Sequence, residues 1–304
     1  MPIALAALRN ELLPGLFDVR GSYDMIPRGW DKVFTTRKSN MAIERSSQMA
    51  FVALPNLKTE GGATPFDNEA GERWVWNIES FEVGLGYAWT RKAIDDNLYK
   101  AQFNPTNLKL QEAFAQFKEI QAASIFNTGT TAIAGLGGDG QPLFSSAHPV
   151  DGNTFGNAFA VPASLNEASL LQAMVNIRTG FVNERGLKIM ARGRQLIIPP
   201  QLEPIAIRLL KTELRPGSAD NDVNAILDTA GGLPEGYIVL DFLTSAYAWF
   251  LKTNIEGLIH LMRIPFEMDM WVDNITDNLL VKGYERYTFA YNDPRCAYGS
   301  YPTS

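Results

Sequence analysis

Few residues in this chain have the types and spacing that chemistry needs. Ser145, Ser146 and His148 lie within four positions. Neighbours that close in a loop seldom form a nucleophile–base pair, and no G-x-S-x-G elbow surrounds either serine. Cys296 is the lone cysteine, and with His148 or His260 it would be half of a thiol dyad. Packing of a small apolar thiol is the simpler reading. One cysteine and two histidines also leave too few ligands for a zinc centre built from them. The run GLGGDG at 135–140 lacks the Lys-Ser/Thr ending of a phosphate loop, and it reads as a flexible surface turn. The acidic pairs Asp95–Asp96 and Asp220–Asp222 sit in polar, turn-like stretches where carboxylates act as solvated caps. No catalytic, cofactor or metal residue is assigned.

Trp74, Trp76 and Trp89 are the sharpest compositional signal. Such rings can stack on bases or sugars. They also serve packing, and on an extended hairpin the surface that buries them would belong to another subunit. Trp74 and Trp76 are therefore candidates for an interface, together with Lys58 and Phe66 near the hairpin tip.

The elements that position these residues follow from periodicity. Residues 1–40 read as a short helix stopped at Pro14–Gly15 and then an arm. Residues 41–90 read as a long hairpin with a turn-rich tip at 54–72. In it Trp74, Trp76 and Ile78 alternate in one phase, and Phe81, Val83, Leu85, Tyr87 and Trp89 in the other. A phase change of this kind implies a bulge or a sharp twist. Asn104–Pro105 opens a helix to about Asn127, with Leu110, Ala113, Phe114, Phe117 and Ile120 as its apolar stripe. Residues 129–164 are loop-rich, and so long a loop is usually functional. An α/β pattern follows: a helix capped by a Ser164/Glu167 box, a strand at RQLIIPP, a helix at LEPIAIRLLKTEL, a further helix at NDVNAILDTA, and strands at YIVLDFL, AWFLKT and GLIHLMR. The long strand NLLVKGYERYTFAYNDP closes the chain.

The 304 residues are 46% hydrophobic and 20% charged, enough apolar mass for a large core. Lys+Arg of 27 against Asp+Glu of 33 gives a net charge of −6, which argues against wrapping nucleic acid by phosphate neutralisation. No apolar run reaches the ~20 residues of a membrane span. The first residues lack a basic n-region, and Arg9 and Glu11 interrupt them, so no signal peptide is expected and the default compartment is cytoplasmic.

Residues 138–149, GDGQPLFSSAHP, resemble a run shared by major capsid proteins of tailed bacteriophages of the Mu-like major head subunit group. Blocks at 184–190 (ERGLKIM), 196–200 (LIIPP), 214–226 (LRPGSADNDVNAI), 233–253 and 284–300 continue the resemblance in order. It is strong over roughly 137–304 and weaker over 1–136. The resemblance implies an α+β, Hong Kong 97-type capsid fold. Residues 1–40 would be the N-terminal arm and 41–90 the extended hairpin, or E-loop. Residues 91–164 would be the peripheral domain with its long spine helix, 165–255 the α/β axial domain, and 256–304 the return to the peripheral domain. It implies a structural, non-enzymatic protein that assembles with itself into the hexamers and pentamers of an icosahedral head. That head would enclose double-stranded DNA without binding it specifically, and no cofactor or membrane would take part. Assembly would occur in the host bacterial cytoplasm, with a portal and a decoration protein as further partners. The apolar start carries no charged helical extension, which points to a separate scaffolding protein. Lys58 alone is weak support for the hairpin cross-link of some relatives. An encapsulin-like compartment shell is the alternative of the same fold, and a soluble hydrolase using Ser146 or Cys296 the alternative of another class.

Overall fold

The computed structural model describes residues 23–50, 52–64, 66–67, 71–96, 103–150, 152–212, 226 and 232–303. The expected helices near Pro14 and at NDVNAILDTA lie outside the described residues, apart from Ile226, as does the pair Asp220–Asp222.

Strands β1 (Thr35–Lys38) and β2 (Ile43–Met49) come first, followed by β3 (Glu72–Glu79) and β4 (Phe81–Trp89). Helix α1 (Arg91–Asp95) precedes the long α2 (Phe103–Asn127). The small hairpin β5 (His148–Val150) and β6 (Asn153–Phe155) leads to α3 (Glu167–Gly180), β7 (Gly193–Ile198) and α4 (Glu203–Lys211). Strands β8 (Tyr237–Val239), β9 (Trp249–Thr253), β10 (Leu258–Val272), β11 (Leu279–Tyr291) and β12 (Ala297–Ser300) complete the chain.

Two four-stranded sheets carry the molecule. One has the order β1-β10-β11-β4 and the other β12-β9-β7-β8. Helix α2 lies on the first sheet, and the contact is close because Gly283 of β11 has no side chain. A Cβ there would stand 2.7 Å from the Phe114 ring. Helices α3 and α4 pack on the second sheet around Leu170, Ile177, Ala206, Leu196 and Trp249.

Several expectations are corrected. The hairpin expected over 41–90 is β2 paired antiparallel with β3, whereas β4 leaves it and pairs with β11. The phase change between Ile78 and Phe81 is therefore a change of sheet at Ser80, not a bulge within one strand. Residues 256–304, expected as the return to the peripheral domain, supply β10 and β11 of the first sheet and β12 of the second, where it pairs with β9. Helix α2 starts at Phe103, and its buried set includes Asn107, Leu110, Gln111, Phe114, Lys118 and Phe126. Phe117 and Ile120, expected in the stripe, are 38% and 40% exposed. The cause is polar pairing: the Tyr87 hydroxyl donates to Asn107 Oδ1 (2.5 Å), and Lys118 meets Glu285. These bonds turn the helix away from the face that hydrophobicity alone selects. The capping box of α3 is Asn166 with Ser169, two residues beyond Ser164.

Candidate functional site

Most of the residues singled out for chemistry are committed elsewhere, whereas Ser146 is exposed and lies apart from the buried His148 ring, which is held by Asp139 and Asn157. His148 is fully buried; its Nδ1 lies 2.6 Å from Asp139 and its Nε2 3.0 Å from Asn157 Oδ1. The Asn157 amide orientation is fixed, because its NH2 donates to the carbonyls of Leu143, Pro294 and Ala297. Ser145 Oγ accepts from the Ala147 N–H. The histidine thus ties loops together and serves no serine. The glycine-rich run is not a free surface turn. Gly138 abuts Trp74, the Gly135 carbonyl accepts from the Asn77 N–H, and Gly137 donates to the Tyr291 carbonyl. Positive φ at Gly135, Gly137, Gly138 and Gly140 lets this wedge run between β3 and β11.

Cys296 is buried against Gly257, and burial pushes its thiol well above the ordinary value, far from a reactive thiolate. His260 stacks on Phe289, has the Trp30 ring tilted against it and meets the Thr36 hydroxyl at 3.2 Å. Burial, with Lys118 and Arg28 adding to it, lowers His260 to about 3. Asp95 pairs with Arg91 four residues before it on the exposed side of helix α1. Among the described residues no group of three or more His, Cys, Asp or Glu is placed to hold a metal ion, and no helix is long and apolar enough to cross a membrane.

Two buried ion pairs escaped the sequence reading. Lys118 meets Glu285 beneath the rings of Tyr23, Trp30 and Tyr287. Arg295 meets Glu184 and Asp293 and lies over the rings of Trp74 and Phe155. The one available signal was pattern. Lys118 is the residue four after Phe114, and Glu285 shares the alternate positions of Val281, Gly283 and Tyr287.

The hairpin carries the site that remains. Trp74 and Trp76, expected to find burial on a neighbour, are only 6% and 8% exposed within this chain. Trp74 packs with Phe155 and Phe181, and Trp76 with Ile259, Leu261 and Ala290. They anchor the base of the hairpin, so the interface assignment of these two rings is withdrawn. The opposite side and the tip are different. Met41, Ile43, Met49, Val52, Leu54, Leu57 and Phe66 are 64%, 52%, 62%, 63%, 68%, 103% and 86% exposed. Lys58 is also exposed, 3.3 Å from the Thr64 hydroxyl. Polar contacts hold this strip in place: Gln48 Nε2 donates to Glu184 (2.8 Å), Arg73 to the Glu184 carbonyl (2.6 Å), and Arg185 pairs with Asp67 at 2.9 Å. Such an arrangement leaves large apolar side chains exposed along the hairpin and at its tip.

Residues 80–300, well over half of the chain, match a family described as phage capsid protein. None of the curated proteins matches it. Among solved structures it is similar to the procapsid of bacteriophage JBD30, at 15% identity and TM-score 0.52, covering 97% of this chain and 75% of that one. The capsid of the Cyanophage P-SCSP1u is similar at 9% identity and TM-score 0.57, with 90% and 88% covered. The virus-like particle from Pyrococcus furiosus gives 11% and 0.54, with 95% and 99% covered. At these identities the likeness is one of fold, and it agrees with two sheets, a long helix lying on one of them, and a hairpin that leaves both. The chain belongs to the phage capsid protein family, as a structural, major capsid protein of the virion with the α+β, Hong Kong 97-type fold.

Proposed function

We propose that copies of this chain assemble into the hexamers and pentamers of an icosahedral head around double-stranded DNA, acting by shape and without catalysis. The observation that carries this reading is the strip from Met41 to Phe66. Seven large apolar side chains stand more than half exposed along one hairpin. Surface of that kind on a folded chain is kept for a partner. Phe66 and Lys58 at the tip are the proposed interface residues.

The division into arm (1–40), hairpin, peripheral part and axial part is proposed with two amendments. The hairpin ends at Ser80, and β12 joins the axial sheet. The order of the sequence blocks favours the Mu-like head-subunit group within the family. A separate scaffolding protein, a portal and a decoration protein are proposed partners, and assembly is proposed in the host bacterial cytoplasm.

Negative-stain electron microscopy and light scattering of the purified protein test the reading, with nuclease treatment and a count of nucleic acid inside. Closed shells, empty or DNA-filled, are expected. A species that stays monomeric at high concentration, with or without a scaffolding protein, would overturn it. Particles that enclose an enzyme instead of DNA would favour a compartment shell.

A further inference from the structure

Lys118 of α2 and Glu285 of β11 bring a primary amine and a carboxyl group into contact where water is excluded. Their side chains are 3% and 1% exposed. The rings of Tyr23, Trp30 and Tyr287 stand 5.7, 5.5 and 4.5 Å from Lys118 Nζ and screen it from solvent. The two carboxyl oxygens are told apart by their partners. Lys118 meets Oε1, and the Tyr23 hydroxyl donates to Oε2 at 3.3 Å. Arg28, the other cation beside the pair, is taken by Asp24 (3.1 Å) and by the Tyr23 carbonyl (2.8 Å). A cavity of about 660 Å3 adjoins the pair, lined by Lys118, Glu285, Tyr23 and His260 among others. His260 is buried, and its Nε2 has no hydrogen-bond partner.

In water an amine and a carboxylic acid do not condense, because both ionise and hydration holds them as ions. Burial removes that hydration. It shifts Lys118 toward the free amine and Glu285 toward the acid, each against the pull of its partner. A free lysine amine is a nucleophile, and one held against its target acts at an effective concentration no solution reaches. The Tyr23 hydroxyl on Oε2 draws electrons from the carboxyl carbon and steadies the charge that attack would place on that oxygen. Oε2 is therefore the oxygen that stays, and Oε1 the one that leaves. The adjoining cavity has room for the water so released, and the unpartnered His260 Nε2 can hold it.

We infer that Lys118 and Glu285 condense to an amide within one chain and so bond α2 covalently to β11. The Nζ–Cδ bond forms and the Cδ–Oε1 bond breaks. One Nζ proton leaves with the carboxyl hydroxyl as water, and the other stays on the amide. Nothing is oxidised or reduced, and no co-reactant is needed. The subunit folds with the pair open, and closure follows slowly because only the uncharged form of the pair reacts. The product buries no ions. It ties together residues 167 positions apart, and a cross-link that closes so long a loop restricts the unfolded chain strongly. Because the bond lies inside one chain, it forms whether or not copies assemble.

Intact-mass spectrometry of the full chain, kept folded at neutral pH over several days, tests it. The expected result is a growing population lighter than the sequence mass by one water. Proteolysis should map that loss to one branched peptide holding both Lys118 and Glu285. The same chain kept unfolded in urea should retain its full mass, as should Lys118→Arg kept folded. The wild-type peptide map decides the matter even if the variant does not fold. Full sequence mass throughout, a water lost from any other residues, or equal loss in urea overturns the inference. None of these outcomes bears on whether copies of the chain form shells.

Discussion

Lys118 of α2 and Glu285 of β11 meet with side chains 3% and 1% exposed, and the Tyr23 hydroxyl donates to the second carboxylate oxygen at 3.3 Å. The pair links the long helix, the central strand of the first sheet and the segment that enters from the N-terminal side. Burial lowers the Lys118 ammonium from its ordinary value and raises the Glu285 carboxyl, while each partner opposes the other's shift. Desolvation is thus the larger effect on each group, and the pair joins the helix to the sheet at a fixed point.

Removing one partner should therefore hurt more than removing both. Lys118→Met alone leaves a buried carboxylate without its cation, and a loss of about 3–5 kcal/mol is expected. The double variant Lys118→Met, Glu285→Leu should recover most of it. Urea unfolding of the unassembled subunit by circular dichroism measures both. A double variant as unstable as the single one would mean the pair is a net stabiliser.

The tryptophans make a second case. Trp74 and Trp76 are buried by their own chain, so Trp74→Ser or Trp76→Ser should destabilise the isolated subunit by about 3–5 kcal/mol each. Leu57→Ser at the exposed tip should leave the subunit's melting temperature within about a degree, since exposed positions usually change stability by under about 0.5 kcal/mol. Equal melting of wild type and both tryptophan variants would return those rings to the interface.

His260 gives a pH dependence of known sign. Its folded value of about 3 lies below an unfolded value near 6.5, so the folded state holds fewer protons between them. The contribution is complete above pH ~6.5 and is lost as pH falls toward 3, at most on the order of 5 kcal/mol. Glu285, raised by burial, works with the opposite sign. The difference between wild type and His260→Phe isolates the histidine. Stability curves that run parallel from pH 7 to 4 would show that His260 does not titrate this way.

What the sequence made legible was periodicity. The long helix, the strands around Leu196, Trp249 and Val281, and the pairing of β2 with β3 follow from alternation and spacing. What it hid were pairings between distant residues. Nothing near Lys118 announces Glu285, 167 positions away, and nothing near Glu184 announces Arg295. Those pairs bury charge where spacing predicts hydrocarbon, and so α2 turned away from its expected stripe. The hairpin tip was legible as a tip because its residues are turn formers. The tryptophans behind it misled, because a ring's type says that it must be buried and not by which chain.

DNA binding is where charge and geometry meet. Arg185, Lys188, Arg192 and Arg194 cluster in sequence and would form a phosphate site if all were free. Geometry takes two of them away: Arg185 pairs with Asp67 at 2.9 Å and Arg194 with Glu235 at 2.7 Å. Lys188 and Arg192 remain exposed on a chain whose net charge is −6. Two phosphate contacts give a log–log salt slope of roughly −1.8, too shallow for tight binding at physiological salt. We therefore expect the subunit to bind duplex DNA weakly and without sequence preference at ~150 mM salt, where the screening length is about 8 Å. Confinement, and not contact, would then hold the DNA, which leaves it free to enter and leave the shell. Fluorescence anisotropy with a labelled duplex measures the affinity and the slope together. Submicromolar affinity at that salt, or a slope steeper than about −4, would show that the ion pairs of Arg185 and Arg194 open and that the four cations act as one site.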